Sequence, residues 1–272
     1  MSEHDIIQRT GNSPVTVQSM MADFLALGLT AGMTVLVHSS LSSLGWVCGG
    51  AVAVIQALQQ TLTPAGTLIM PTHSGDLSDP AEWQYPPVPE IWWETIRQTM
   101  PAFNPQLTPS RGMGVIPECF RGQREVLRSA HPQYSFAAWG KHAPDIVNNH
   151  QLAAGLGEGS PLARIYRLNG WVLLLGVSHH SNTSLHLAEY RASYPGKKMV
   201  NCGTPVDIDG QRRWVAFQDL ALNSDDFTAI GAQFDQVSGL IRRGQVGRAT
   251  AQLMPQRELV DFAVSWMNQH RA

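Results

Sequence analysis

Residues 33–71, MTVLVHSSLSSLGWVCGGAVAVIQALQQTLTPAGTLIMP, decide the fold. MTVLVH (33–38) is a short aliphatic run that stops at a polar loop, and TLIMP (67–71) is a second such run. Between them AVAVIQALQQTL (51–62) repeats its apolar residues at helical spacing and is closed by the turn TPAG. A strand, a helix and a strand in this order predict an α/β unit. The loop HSSLSSLGWVCGG (38–50) then stands at the carboxyl end of the first strand, the edge where open α/β sheets bind ligands.

The pattern extends both ways from this unit. Met20, Met21, Phe24 and Leu27 share a helical face over 16–27, with Gly28 placed to end the helix. Downstream, GVIPECFR (114–121) reads as a helix, SFAAWG (135–140) as a strand, and Ser160-Pro161 as a helix start with proline at its first position. WVLLLGV (171–177) is a buried strand, and Asp209-Gly210 predicts a hairpin turn. The tail reads as a helix near 225–236, one extended stretch over 246–253 and a closing helix from Pro255 through Trp266. From Thr72 to Pro109 the periodicity breaks into a segment rich in proline and tryptophan, with a helical piece at 90–99. A segment of that length and aromatic content is expected to be an ordered insertion (about 72–110) lining a pocket, within one domain spanning 1–272.

Bulk composition excludes several classes. A formal charge of −2 and a pI near 6.5 favour neither nucleic acid nor an anionic membrane as partner. No apolar run reaches the ~18 residues of a membrane span, and the N-terminal stretch lacks a signal-peptide core. The three cysteines, Cys48, Cys119 and Cys202, form no CxxC pair, which fits a reducing cytoplasmic setting.

HHSNTSLHLAEYR (179–191) follows the buried strand directly. His186 and Glu189 are three apart, so on a helix they share a face, and a carboxylate there orients an imidazole and stabilises its protonated form. Asn182 or Ser181 would cap that helix. A surface histidine with a helical glutamate neighbour accounts equally well for the spacing alone. His179, His180 and His186 lack both HExxH spacing and a thiolate partner, so no metal is expected. A metal-dependent hydrolase using those histidines stands as a competing reading, and a coenzyme-binding protein without turnover as another.

MTVLVHSSLSSLGWVCGG, LIMPT, TPSRGMG, RSAHP, GEGSPL and LLLGVSHHSNTSLHLAE, in that order, resemble the aminoglycoside 3-N-acetyltransferase family over nearly the whole chain. The resemblance is to its environmental and Bacillus-type branch. It implies an α/β/α sandwich of the antibiotic N-acetyltransferase type, unrelated to the GNAT acetyltransferases. The implied reaction is acetyl transfer from acetyl-coenzyme A to the 3-amino group of the 2-deoxystreptamine ring of an aminoglycoside, or to another amine, without a metal. Carried over by position, His186 is implied as the general base, Glu189 as its orienting partner and Thr183 as a hydroxyl steadying the thioester carbonyl. His38, Ser39, Ser40, Leu41, Arg111 and Met113 are implied in the coenzyme site. Carboxylates and aromatics are needed to hold a polycationic drug, and Asp76, Trp83 and Glu158 are the candidates in and near the insertion.

Overall fold

The computed structural model describes residues 2–271. Helices α1 (Glu3–Thr10) and α2 (Val17–Leu27) precede β1 (Thr34–Ser39), α3 (Gly50–Leu62) and β2 (Thr67–Pro71). The insertion carries α4 (Trp93–Thr99), and α5 (Val115–Arg121), β3 (Leu127–Arg128), β4 (Phe136–Gly140), α6 (Ala143–Val147) and α7 (Pro161–Arg167) follow. Then come β5 (Trp171–Leu175), α8 (Ser184–Arg191), the hairpin β6 (Met199–Ile208) and β7 (Gln211–Leu220), α9 (Phe227–Ser238), β8 (Arg242–Val246), β9 (Ala249–Pro255) and α10 (Gln256–His270).

Seven strands form one sheet in the order β3-β4-β2-β1-β5-β9-β8, with β6 and β7 as a separate ribbon. The centre is parallel, β1 pairing with β2 and with β5, and antiparallel pairs flank it on both sides. Strand alternation sends Val35 and Val37 to one face and Leu36 to the other. The first face packs on α2, α3 and α5, the second on α6 to α10, giving the three-layer α/β/α sandwich that the family resemblance implies. Leu36, Leu173 and Leu174 are wholly buried between these layers, so truncating any one to alanine costs ~2–5 kcal/mol.

β1 runs into a helix on the first face, whereas β5 runs into α8 on the second. Their carboxyl ends therefore part in opposite directions and leave a crevice, the position at which doubly wound sheets bind ligands. Gly176 makes the turn possible. Its φ is +71°, and a Cβ there would stand 2.6 Å from the Ser43 Cβ, so the loop after β5 can lie against the loop after β1 only without a side chain. Ser40 N donates to Leu175 O at 3.0 Å and Ser43 Oγ donates to Gly176 O at 3.2 Å across that contact.

The stretch expected as one extended run at 246–253 is a hairpin, β8 and β9 joined at Gly247-Arg248. RRGQV at the open edge of the sheet is mostly polar and exposed, so it lacks the buried-face alternation that marks a strand. The hairpin expected across Asp209-Gly210 is present, with both turn residues at positive φ. The insertion lies on this ribbon. Phe103 N donates to Pro205 O, Thr204 Oγ1 donates to Leu77 O at 2.6 Å, and the Arg212 guanidinium donates to the carbonyls of Arg97 and Met100.

Candidate active site

β1 delivers His38 and Ser39 to the crevice, β2 delivers Pro71 and then His73, and β5 leads through Val177 to Thr183 and His186. These residues wall a cavity of about 910 Å³. Ser40, Leu41 and Ser42 of the loop after β1 form a second side, and Gly112, Met113 and Gly114 before α5 form a third.

The helix carrying His186 begins close to where its sequence directs. Thr183, and not Asn182 or Ser181, holds the N-cap position and makes no side-chain cap bond; Asn182, fully buried one residue earlier, accepts a hydrogen bond from Ser184 N at its Oδ1. Ser184 Oγ in turn accepts from Gln256 Nε2 at 3.1 Å, which fixes α8 against α10. His186 and Glu189 then fall on one face, and His186 Nδ1 lies 2.5 Å from Glu189 Oε2. The glutamate is fully buried and the imidazole is 16% exposed toward the cavity. An acceptor so placed holds the proton on Nδ1, which leaves Nε2 as the nitrogen free to accept another. Phe227 meets the imidazole edge-on at 4.8 Å between ring centroids and limits its rotation.

Two further histidines share this floor. His38 is buried, and desolvation, with the nearby His186, pushes its pKa down to about 3, so it is neutral at working pH. Its Nε2 lies 3.3 Å from Thr183 Oγ1. His73 is likewise held well below the usual imidazole range, chiefly by burial. It stands edge-on to Tyr134 and Phe136, and its carbonyl accepts from Arg111 N at 2.8 Å, tying the 111–114 loop to the end of β2.

His38, Ser39, Ser40, Leu41, Met113, Thr183 and His186 all line this one cavity, with Glu189 directly behind His186. Four other candidates lie elsewhere. Arg111 and Asp76 pair with each other at 2.8 Å, both largely exposed, and neither forms the cavity wall. Glu158 is bound to Arg191 at 2.6 Å, and Trp83 is anchored through Nε1 to Ser78 Oγ at 2.9 Å, both also off the wall. From the insertion His73 reaches the wall. Sequence reasoning passed over His73, Tyr134 and Trp46 in the wall and Arg271 behind Glu189. LIMPTH contained a signal for His73, since the residues just after a parallel strand face the crevice; a penultimate arginine carried none.

Among the described residues no three His, Cys, Asp or Glu side chains are grouped to hold a metal ion, so the hydrolase reading has no ligand set. No helix among them is long and apolar enough to cross a membrane.

A mixed sheet in an α/β/α sandwich, with a histidine and carboxylate pair on a crevice walled by hydroxyls and apolar side chains, is an arrangement suited to acid–base chemistry on a bound substrate. The chain belongs to the aminoglycoside 3-N-acetyltransferase family, whose model matches residues 36–268. It is 52% identical over 254 residues to the SPbeta prophage-derived aminoglycoside N(3')-acetyltransferase-like protein YokD of Bacillus subtilis, covering 93% of this chain and 92% of that protein. The YokD crystal structure superposes with a TM-score of 0.95 over 98% of each chain. Aminoglycoside N(3)-acetyltransferase VIII of Streptomyces fradiae is 37% identical over 282 residues, 98% of this chain and 96% of that one. A structure of AAC-IIIb in binary complex with CoASH aligns at 33% identity and a TM-score of 0.85, covering 96% of this chain and 98% of its own.

Proposed function

We propose that this protein transfers the acetyl group of acetyl-coenzyme A to the 3-amino group of a 2-deoxystreptamine aminoglycoside, with His186 as general base and Glu189 as its orienting partner. The observation that carries this reading is the 2.5 Å contact between His186 Nδ1 and the buried Glu189, on the wall of a cavity at the crevice between β1 and β5.

An amine attacks a thioester carbonyl only as the free base, so a proton must leave nitrogen as the N–C bond forms and the C–S bond breaks. His186 Nε2 takes that proton, Glu189 offsets the charge gained by the imidazole, and the proton then passes to the departing sulfur, so the coenzyme leaves as the free thiol. The carbonyl oxygen becomes negative on attack, and a fixed donor beside it lowers the barrier. Thr183 Oγ1 fills that role when neutral His38 donates to it through Nε2–H, because the hydroxyl proton is then free to point at the substrate. Ser39, Ser40, Leu41 and Met113 offer the mixture of hydroxyl and apolar surface that suits the amides and methylenes of a pantetheine arm. Acetyl-coenzyme A fits as co-substrate, supported by the CoASH complex of AAC-IIIb. Asp76 and Glu158 already pair with arginines, so a cationic drug must displace those partners or bind elsewhere.

The test mixes the protein with acetyl-coenzyme A and a panel of 2-deoxystreptamine antibiotics, follows thiol release and locates the acetyl group by NMR. Acetylation at the 3-amino position is the expected result. Transfer to another position, or to no drug while the coenzyme still binds, would overturn the proposed acceptor and turn the search to other amines.

A further inference from the structure

Glu189 uses both of its oxygens. Oε2 meets His186, whereas Oε1 accepts from Arg271 Nη1 at 2.6 Å and from Asn223 N at 2.9 Å. Arg271 follows the last helix, yet its side chain is only 11% exposed. Its fork is filled: Nε and Nη2 each reach Asp226 at 2.7 Å, Nη2 also reaches Asn223 O at 2.9 Å, and Nη1 also reaches Tyr194 Oη at 3.3 Å. All five N–H groups of a guanidinium are accounted for by these partners. A charge this well matched at its fork is held for geometry, since burial alone disfavours it.

We propose that Arg271 is a positioning residue for catalysis, which holds the Glu189 carboxylate in the plane that His186 needs and offsets part of its charge. This rests on the reading of His186 as general base. Resting, the cluster carries two carboxylates and one guanidinium; when His186 takes a proton from the amine, the charges balance. Without the guanidinium, Glu189 would face the imidazole with its full charge and lose one of its two anchors. The protonated imidazole would then be held more tightly, and the orientation of the ring less tightly.

The titratable groups facing the pair come from every neighbouring element: His38 from β1, His73 after β2, Tyr134 before β4, Lys197 after α8, Asp226 before α9 and Arg271 after α10. Burial keeps His38 and His73 neutral. Lys197 donates to the carbonyls of Tyr190 and Ala192. Arg271 is therefore the cation in direct contact with Glu189.

The experiment compares Arg271→Ala, Arg271→Gln and Arg271→Lys with wild type and with His186→Ala, measuring kcat, KM for acetyl-coenzyme A and the pH dependence of kcat. Arg271→Ala is expected to lower kcat ~10–100-fold, by analogy with the loss seen when the partners that orient metal-ligating histidines are removed. KM for the coenzyme should stay nearly constant, and the acid limb of the profile should move to higher pH. Arg271→Lys should retain more rate than Arg271→Gln, and millimolar guanidinium should restore rate to Arg271→Ala. If Arg271→Ala does not fold, the Lys and Gln variants decide: equal losses with unshifted profiles overturn the inference. So does wild-type kcat in Arg271→Ala, or a loss that guanidinium does not reverse and that follows coenzyme affinity. A fully active His186→Ala would instead overturn the base on which the inference stands. An inactive His186→Ala beside normal Arg271 variants would overturn the positioning role alone.

Discussion

His38 Nε2 lies 3.3 Å from Thr183 Oγ1, joining the end of β1 to the start of the helix that carries His186. Neutral His38 supplies one N–H and one lone pair, and donation through Nε2 leaves the Thr183 proton for the substrate. Replacing Thr183 by valine keeps the volume and removes the donor. A kcat loss of ~100-fold with little change in coenzyme KM is expected, as for single oxyanion donors. Thr183→Ser should keep most of the activity. Steady-state kinetics of both variants decide it, and an active Thr183→Val would remove the hydroxyl from the mechanism.

His186→Ala should abolish most turnover, ~10²–10⁴-fold, while acetyl-coenzyme A still binds, because a base acts on the amine. Glu189→Gln should lose less, since the amide still contacts the ring but no longer offsets its charge. Calorimetric titration of coenzyme onto His186→Ala, beside its rate, separates the two effects. Collapse of coenzyme affinity would assign His186 to binding.

Stability should fall as the solution turns mildly acid. Burial, the largest cause, holds His38 and His150 down to about 3 and His131 to about 4. In the unfolded chain each titrates near ~6.5. The unfolded state therefore binds protons first: stability is full above ~6.5 and is lost as pH drops toward 3–4, at roughly 1.4 kcal/mol per pH unit for each histidine. Between pH 6.5 and 5 carboxylates contribute little to this slope, their ordinary values lying near ~4. Urea unfolding at several pH values should show the decline, and His150→Gln should flatten it. A flat wild-type profile over that range would contradict the assigned burial.

Gly231 of α9 lies against His179. A Cβ at this glycine would stand 2.2 Å from the His179 Cγ, and the ring is buried. Gly→Ala in a helix normally stabilises by about 0.5–1 kcal/mol. Here overpacking, ~1–3 kcal/mol, outweighs that gain, so Gly231→Ala should unfold at lower temperature. The double variant with His179→Ala should recover part of the loss. A more stable Gly231→Ala would mean that the ring moves freely, and that the turn before α8 is not held from this side.

The α/β class was legible because β1, α3, β2 and β5 carry their periods locally: buried runs such as WVLLL and a 3.6-residue apolar repeat depend on neighbours a few residues away. The His186 and Glu189 pair was legible for the same reason, since three residues on a helix share a face in any context. Tertiary structure decided what depends on residues far apart in sequence. It brought Arg271 onto Glu189, 82 residues away, and closed Asp76 onto Arg111 and Arg191 onto Glu158, which leaves those acids already paired. It also set His73 beside His38 and His186, because β1 pairs with β2 on one side and β5 on the other. Local periodicity specifies which elements form. Which charges meet, and so which carboxylate is free to serve a base or a drug, follows only from how those elements pack.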